Sequence, residues 1–364
     1  MEEQIQRLIS WSKGEKQGPF SIEIHPTNLC NLNCIMCGTQ IEHKRLMKEN
    51  PDFHPSKYVP FELKREKLIE LVRGGKELGV KKWLITGGGE PFVRKEDTLA
   101  VMNEIKLLHM FGNINTNGAL LIKEDIQRII DMEWDMIMFS IDSHIPEIHD
   151  FMRGKQGTFD TIEKILKLFK SLKKKNNTNK PKIVFNTVLC NKNFNHLDEF
   201  IRFAHTVDCK DITFIPLIQF NSELQVLALN GQEKKQFQKE ILKIDKISQK
   251  YNIHTNIKSL EEKNESCKVS LKKNKKNFYD IVCFEPFLNL VIRMDGKYSP
   301  CCMIENYDDT IANKSLLDIW FGNYFNIIRE SMINNKIPKD CSKCVHMQIM
   351  QNNDLREKLF KRLK

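Results

Sequence analysis

Apolar and polar positions alternate in FSIEIH, residues 20–25, and the alternation stops at Pro26. Period two over so short a run is the pattern of a half-buried strand. The next stretch, ELKREKLIELVRGGKELG (62–79), has helical spacing and ends in glycine. The pair then recurs. KKWLITGGGEP (81–91) is an apolar run closed by glycines, a helix is predicted near 95–109, and GNINTNG (112–118) is the next strand and its turn. A helix near 122–132, the strand DMIMFSID (135–142), a helix over about 158–175, the strand KIVFNTVL (182–189), a helix near 195–206 and the strand DITFIPLI (211–218) complete the series. Strands alternating with helices imply parallel pairing through right-handed crossovers. A closed eight-stranded barrel takes about 250 residues, whereas this region offers six strands in about 200. The expected fold is therefore α/β, a partial (β/α)6 TIM-like barrel or open sheet over residues 20–218, preceded by an extension, 1–19.

The pattern changes after that. Residues 219–276 are rich in Lys, Gln, Asn and Glu and read as a connecting segment with one helix near 232–250. From 277 to the end the chain reads as a smaller domain. Two apolar runs flank Asp295-Gly296, a strong hairpin signal, and SLLDIWFGNYFNIIRESMI (315–333) has helical spacing. The 57 basic residues exceed the 47 acidic ones, a net charge of +10, with lysines bunched at Lys173–Lys175 and in 272–276. Such runs are read first as solvated faces, with an anionic substrate or partner as the alternative. They lack the density of a nucleic-acid footprint. The charged N-terminus has no signal-peptide core, and no apolar run approaches the roughly 18–20 residues that span a bilayer. These features predict a soluble, cytoplasmic protein that binds neither nucleic acid nor membrane. Its 11 cysteines then point to metal or redox chemistry before disulfides.

Cys30, Cys34 and Cys37 fall within eight positions, just beyond the first strand. Structural zinc takes four protein ligands, and catalytic zinc three plus water. Three thiolates with no nearby histidine or carboxylate are unusual for zinc, and His25 lies on the strand. A [4Fe–4S] cubane has four irons, so three cysteines leave one iron open to an exogenous ligand. A zinc knuckle is the competing reading.

This CxxxCxxC resembles that of the radical S-adenosylmethionine (radical SAM) enzymes. Other motifs of residues 20–218 share the resemblance, and it implies the following roles. Met36 stands where the family often has an aromatic residue beside the adenine. GGGEP (87–91) resembles the family's GGEP element: Gly88 and Gly89 would let the backbone approach the amino-acid end of S-adenosylmethionine, Glu90 would accept its ammonium, and Pro91 would fix the turn. Thr116 and Asn117, in NTNG, would line the site. Ser140, in FSID, would bond the ribose or carboxylate, and Asp142 would face the substrate. Arg153 would pair with the cofactor carboxylate, and Asn186 and Ile215 would border ribose and adenine. The implied chemistry is reductive cleavage of the sulfonium to a 5′-deoxyadenosyl radical that abstracts hydrogen, with a flavodoxin- or ferredoxin-type protein as electron donor.

Cys283 and Cys301 bracket the predicted hairpin, and Cys341 and Cys344 form a CxxC. GKYSPC (296–301) resembles an element of SPASM and twitch auxiliary-cluster domains. No cysteine follows Cys344, so the resemblance implies the shorter twitch type with one auxiliary [4Fe–4S] cluster, most like the radical aminocyclitol dehydrogenase branch. A four-cysteine zinc ribbon is the alternative. Cys302 is a possible substitute for Cys301. Cys190, Cys209 and Cys267 read as ordinary thiols, Cys267 being the nearest to this domain. The leading expectation is oxidation or rearrangement of a small polar metabolite: a sugar, aminocyclitol or nucleotide sugar. A peptide maturase is the second, although residues 1–19 are too short for a leader-binding domain, and a zinc-bound scaffold is the third. Candidate bases for a dehydrogenation are Asp142, His25, His144 and His149.

Overall fold

The computed structural model describes residues 1–261, 278–304, 309–334, 336, 338–344 and 346–363. Cys267 and part of the connecting segment lie outside them. The described strands are β1 (Ser21–Ile24), β2 (Lys82–Ile85), β3 (Phe111–Thr116), β4 (Met136–Ser140), β5 (Lys182–Leu189), β6 (Cys209–Pro216), β7 (His254–Thr255), β8 (Asn289–Ile292) and β9 (Tyr298–Ser299). They form one sheet in the order β7-β6-β5-β4-β3-β2-β1-β8-β9. All neighbours are parallel except β8 and β9, which form the hairpin predicted at Asp295-Gly296. Gly296 sits there at φ +79°, a left-handed turn position that suits glycine.

Period-two alternation decides which face each strand buries. Ile22, Ile24, Trp83, Ile85, Ile114, Ile137, Phe139, Phe185, Phe214, Leu290 and Ile292 pack in one apolar core with residues of the helices Arg65–Glu77, Lys95–Leu107, Lys123–Asp131, Thr158–Lys175, Leu197–Thr206 and Gly231–Lys250. The opposite face carries Glu23, His25, Thr86, Asn113, Asn115, Ser140 and Asn186, residues that lie one position off this apolar set. Among the described residues the barrel is open, since β7 and β9 end the sheet without pairing to each other.

Several features escaped the sequence pattern. The helix Gly38–Glu49 follows the first cysteine group directly. Pro146 opens the helix Pro146–Arg153 at its first turn, where a missing N–H costs nothing, rather than breaking it. β8 joins the barrel sheet beside β1 instead of standing in a separate unit. The N-terminal helix Glu2–Ser12 likewise belongs with the C-terminal part: Ile5 and Leu8 pack with Phe284, Phe287, Leu355 and Leu359, and Trp11 Nε1 donates to the Phe287 carbonyl at 3.1 Å. The segment 315–333 divides into the helices Leu316–Trp320 and Asn323–Ile333.

Candidate active site and auxiliary cysteine site

Beyond β1 the chain leaves the sheet at its C-terminal edge, where α/β sites are built. Cys30, Cys34 and Cys37 line one open cavity of ≈ 250 Å³ together with Met36, Arg153 and the ends of β2, β3 and β4. Cys37 caps the helix Gly38–Glu49, so that helix begins at the cavity wall. Two donors lie close to the sulfurs: Asn117 Nδ2 is 3.9 Å from Cys30 Sγ, and Arg153 Nη1 is 3.9 Å from Cys34 Sγ. Burial pushes the Cys30 thiol up to about 12 and raises Cys34, against the pull of Arg153. Thiols held neutral in this way must release protons when they ligate metal.

The loop after β2 forms the facing wall. A Cβ on Gly88 would meet Asn28 Oδ1 at 2.1 Å, and one on Gly89 would meet the Leu29 carbonyl oxygen at 2.0 Å. These glycines thus let the loop lie flat against the cysteine segment. Gly89 N–H donates to the Thr27 carbonyl at 3.0 Å and Glu90 N–H to that of Leu29 at 2.8 Å. Glu90 is buried, and its carboxylate accepts from Thr116 Oγ1 (2.7 Å), Asn117 N–H (2.7 Å) and Phe92 N–H (3.1 Å). Burial raises its pKa, and the three donors oppose that rise. Glu90 therefore ties the end of β2 to the end of β3 and still borders the cavity. Further along, Asn115 Oδ1 lies 3.5 Å from Ser140 Oγ and 3.3 Å from Asn186 Nδ2, a loosely bonded polar row.

At the other cysteine site, Cys283 and Cys341 pack against the same apolar cluster. Burial, then Glu285, raises the Cys283 thiol, with further contributions from Cys301 and Cys344. Burial lifts Cys341 to about 11, with Cys301 and Cys344 again adding to it. Cys283 and Cys341 are thus each near Cys301 and Cys344, which relates the hairpin to the CxxC. Cys302 is exposed and feels Glu23, Cys301 and Glu285 instead. Four thiols suit an iron–sulfur cluster, as three thiols beside an open cavity suit one with a free iron.

Residues 24–204 match the family model of the radical SAM superfamily, and residues 283–345 match that of an iron-sulfur cluster-binding domain, SPASM. The chain is a radical SAM protein with a SPASM domain. It is 28% identical over 202 residues to a GTP 3',8-cyclase of Limosilactobacillus fermentum, covering 54% of each chain. It is 29% identical over 179 residues to a tungsten-containing aldehyde ferredoxin oxidoreductase cofactor-modifying protein of Pyrococcus furiosus, covering 49% of this chain and 46% of that one. The chain thus spans about half the length of these curated relatives. Among solved structures, SuiB of Streptococcus suis superposes with a TM-score of 0.66 at 16% identity, over 94% of this chain and 75% of that one. Native anSMEcpe with bound AdoMet superposes with a TM-score of 0.58 at 16% identity, over 95% and 98%. At such identity the likeness is one of fold. The cofactors of this radical SAM–SPASM chain are iron–sulfur clusters and S-adenosylmethionine.

Of the residues expected to contact that cofactor, Met36, Gly88, Gly89, Glu90, Thr116, Asn117, Ser140 and Arg153 border the cavity; Pro91, Asn186 and Ile215 do not. Asn186 reaches it only through Asn115, and Pro91 is buried at the start of the 3-10 turn Pro91–Arg94. Asp142 departs from its expected position facing substrate. It is buried, its Oδ2 lies 2.8 Å from Arg153 Nη2 as an ion pair, and its Oδ1 accepts from Val188 N–H at 2.9 Å. Burial raises the Asp142 pKa; Arg153, desolvated as well, is nevertheless held charged by Asp142 and Cys34. The Arg153 guanidinium thus bridges Asp142 and the cysteine loop.

The same helix settles His149, which is fully buried, packs on Phe159 and accepts the Asp142 N–H at Nδ1. His144 feels His196 and Asp198, groups outside the cavity lining. His25 is the imidazole on the inner face of the sheet: Nε2 meets Glu23 Oε1 at 2.7 Å, and its Cβ lies against Gly87 of the cavity wall. Thr86, Asn115, Gln40, Val188 and Phe220 also line the cavity and were not singled out from the sequence. The parity of β2 and β3 would have given Thr86 and Asn115. Phe220 had no local signal; it arrives from the segment after β6 and its ring meets the space beside Gly38 at 3.2 Å.

Proposed function

We propose that this radical SAM enzyme abstracts hydrogen from a small polar metabolite, such as a sugar, an aminocyclitol or a nucleotide sugar, bound against the inner face of the sheet, in an oxidation or rearrangement. The observation that supports this reading is the polarity of that face. Closed barrels fill it with branched apolar side chains; here Glu23, His25, Asn113, Asn115, Ser140 and Asn186 share it with Leu84, Met138 and Val184, a mixed face with several hydrogen-bonding groups. Asn113 is buried with its Oδ1 unpartnered among the described residues, an acceptor available to a polar ligand. In this reading Cys30, Cys34 and Cys37 hold the cluster with the open iron, and Cys283, Cys301, Cys341 and Cys344 hold one auxiliary cluster. When bound, the first cluster and S-adenosylmethionine together supply the 5′-deoxyadenosyl radical. Arg153 and Asn117 place charge and hydrogen bonds beside the cysteine sulfurs, and Met36, Glu90, Thr116 and Ser140 shape the cofactor cavity. His25, oriented by Glu23, is the base that accepts a proton from substrate in an oxidation. A cytoplasmic flavodoxin- or ferredoxin-type protein supplies the electron.

A peptide substrate is the second reading. Phe220 is 54% exposed at the cavity, an apolar contact suited to a peptide side chain. Structures of SuiB bound to precursor peptide SuiA and of anSMEcpe with a peptide share this fold. The test is anaerobic reconstitution with iron and sulfide, expected to give about eight irons per chain, followed by dithionite and S-adenosylmethionine. Release of 5′-deoxyadenosine that rises with nucleotide sugars or aminocyclitols supports the first reading, and a rise only with peptides supports the second. Zinc without iron refutes both.

A further inference from the structure

Two buried hydrogen-bond donors lie near the auxiliary cysteines without an acceptor. Tyr324 Oη and Arg293 Nε are both enclosed by protein and have no partner among the described residues. Neighbouring tyrosines are satisfied: Tyr298 donates to Asp309, and Tyr279 pairs with Ser12 at 2.6 Å. Leaving a buried donor unpaired is unfavourable, so such a group marks a missing acceptor. Tyr324 is held firmly, its ring 5.7 Å from Tyr298 and 5.8 Å from Phe325, both edge-on, and it packs against the apolar cluster that also takes Cys283 and Cys341. Arg293 is fixed by Nη2, which donates to the Ile304 carbonyl at 3.2 Å, so its Nε direction is set by the backbone that follows Cys301. The two groups bracket Cys301 along the chain: Tyr324 packs on Tyr298, three residues before it, and Arg293 Nη2 also donates to the Cys302 carbonyl, just after it, at 3.4 Å.

We infer that Tyr324 Oη–H and Arg293 Nε–H donate to sulfur at the Cys301 corner of the auxiliary cluster and raise its reduction potential. This rests on the proposed assignment of Cys283, Cys301, Cys341 and Cys344 as ligands. Hydrogen bonds and positive charge at cluster sulfur stabilise the more negative, reduced state. They make the centre easier to reduce, as suits one that accepts an electron rather than one that only braces the fold. Tyr324 and Arg293 are thus positioning residues that act through the cluster.

The experiment uses the full chain with Cys30, Cys34 and Cys37 changed to alanine and reconstituted with iron and sulfide, so that a single cluster titrates. Potentiometry followed by electron paramagnetic resonance is expected to show a more negative midpoint for Tyr324→Phe and for Arg293→Gln. The reduced-to-oxidised ratio at fixed potential should fall about tenfold for each, equivalent to about 59 mV for one electron. Arg293→Lys, which keeps the charge, should recover part of the shift. Unchanged midpoints with iron retained overturn the inference, and so does iron loss in Tyr324→Phe, which marks a purely structural role. A parent that takes up zinc and no iron overturns the ligand assignment itself and this inference with it.

Discussion

Gly89→Ala should separate the two loops that build the cofactor cavity. The added Cβ would lie 2.0 Å from the Leu29 carbonyl oxygen and 2.7 Å from the Asn28 carbonyl carbon, both backbone atoms that no rotamer change can move. Reaching an ordinary contact of 3.4 Å requires the loops to part by about 1.4 Å. Opened by that amount, the 2.8 Å bond from Glu90 N–H to the Leu29 carbonyl and the 3.0 Å bond from Gly89 N–H to the Thr27 carbonyl both exceed 4 Å. Two such bonds contribute about 1 kcal/mol each, and overpacking adds about 1–3 kcal/mol, so the loss should be about 3–5 kcal/mol. Gly89 has no positive φ, so the penalty is one of space alone. Urea unfolding of the metal-free chain measures the stability. Calorimetric titration of the reconstituted protein with S-adenosylmethionine measures the site, where affinity should fall at least tenfold. Gly231→Ala, with nothing within 4 Å, is the control and should lower neither. Native stability and affinity in Gly89→Ala would refute the reasoning.

Asp142→Ala leaves Arg153 buried without its counter-ion and should cost about 3–5 kcal/mol in urea unfolding, whereas Asp142→Asn should cost less and still release 5′-deoxyadenosine. Cys301→Ser should lower iron content by about four per chain and Cys302→Ser should not, by iron analysis after reconstitution. Burial, then the charge of Arg153, holds the His149 pKa well below its ordinary 6.5. Its unfolded form therefore takes up a proton first, and stability is present above pH 6.5 and declines as pH falls below it, by up to about 1.36 kcal/mol per pH unit. His149→Asn, which keeps an acceptor for the Asp142 N–H, should flatten that acid limb in urea unfolding at pH 7.5, 6.5 and 5.5.

The order of the strands up to β6, with one helix between each pair, was legible because each of those elements carries its own period: Ile22 and Ile24, Trp83 and Ile85, Ile137 and Phe139 all announce a buried face locally. The cysteine spacings were legible for the same reason. The pairing of β8 with β1 was not, since Ser21 meets Asn289 across most of the chain and neither run says which edge it will join. The placement of Asp142 was misread for a related cause. Alternation along β4 places Ser140 toward the cavity, but the chain has left the strand by Asp142, and the helix that ends in Arg153 captures its carboxylate.

The insertion of β1 between β2 and β8 has a consequence for biogenesis. β1 carries the cysteine loop, yet one of its two flanks is supplied by residues 289–292. A nascent chain therefore holds an open strand edge next to its cysteine loop until about four-fifths of the polypeptide has been made, and unpaired edges invite association with other chains. Truncation before β8 should for that reason yield insoluble material rather than a smaller working enzyme, and metal loading is best timed after synthesis is complete.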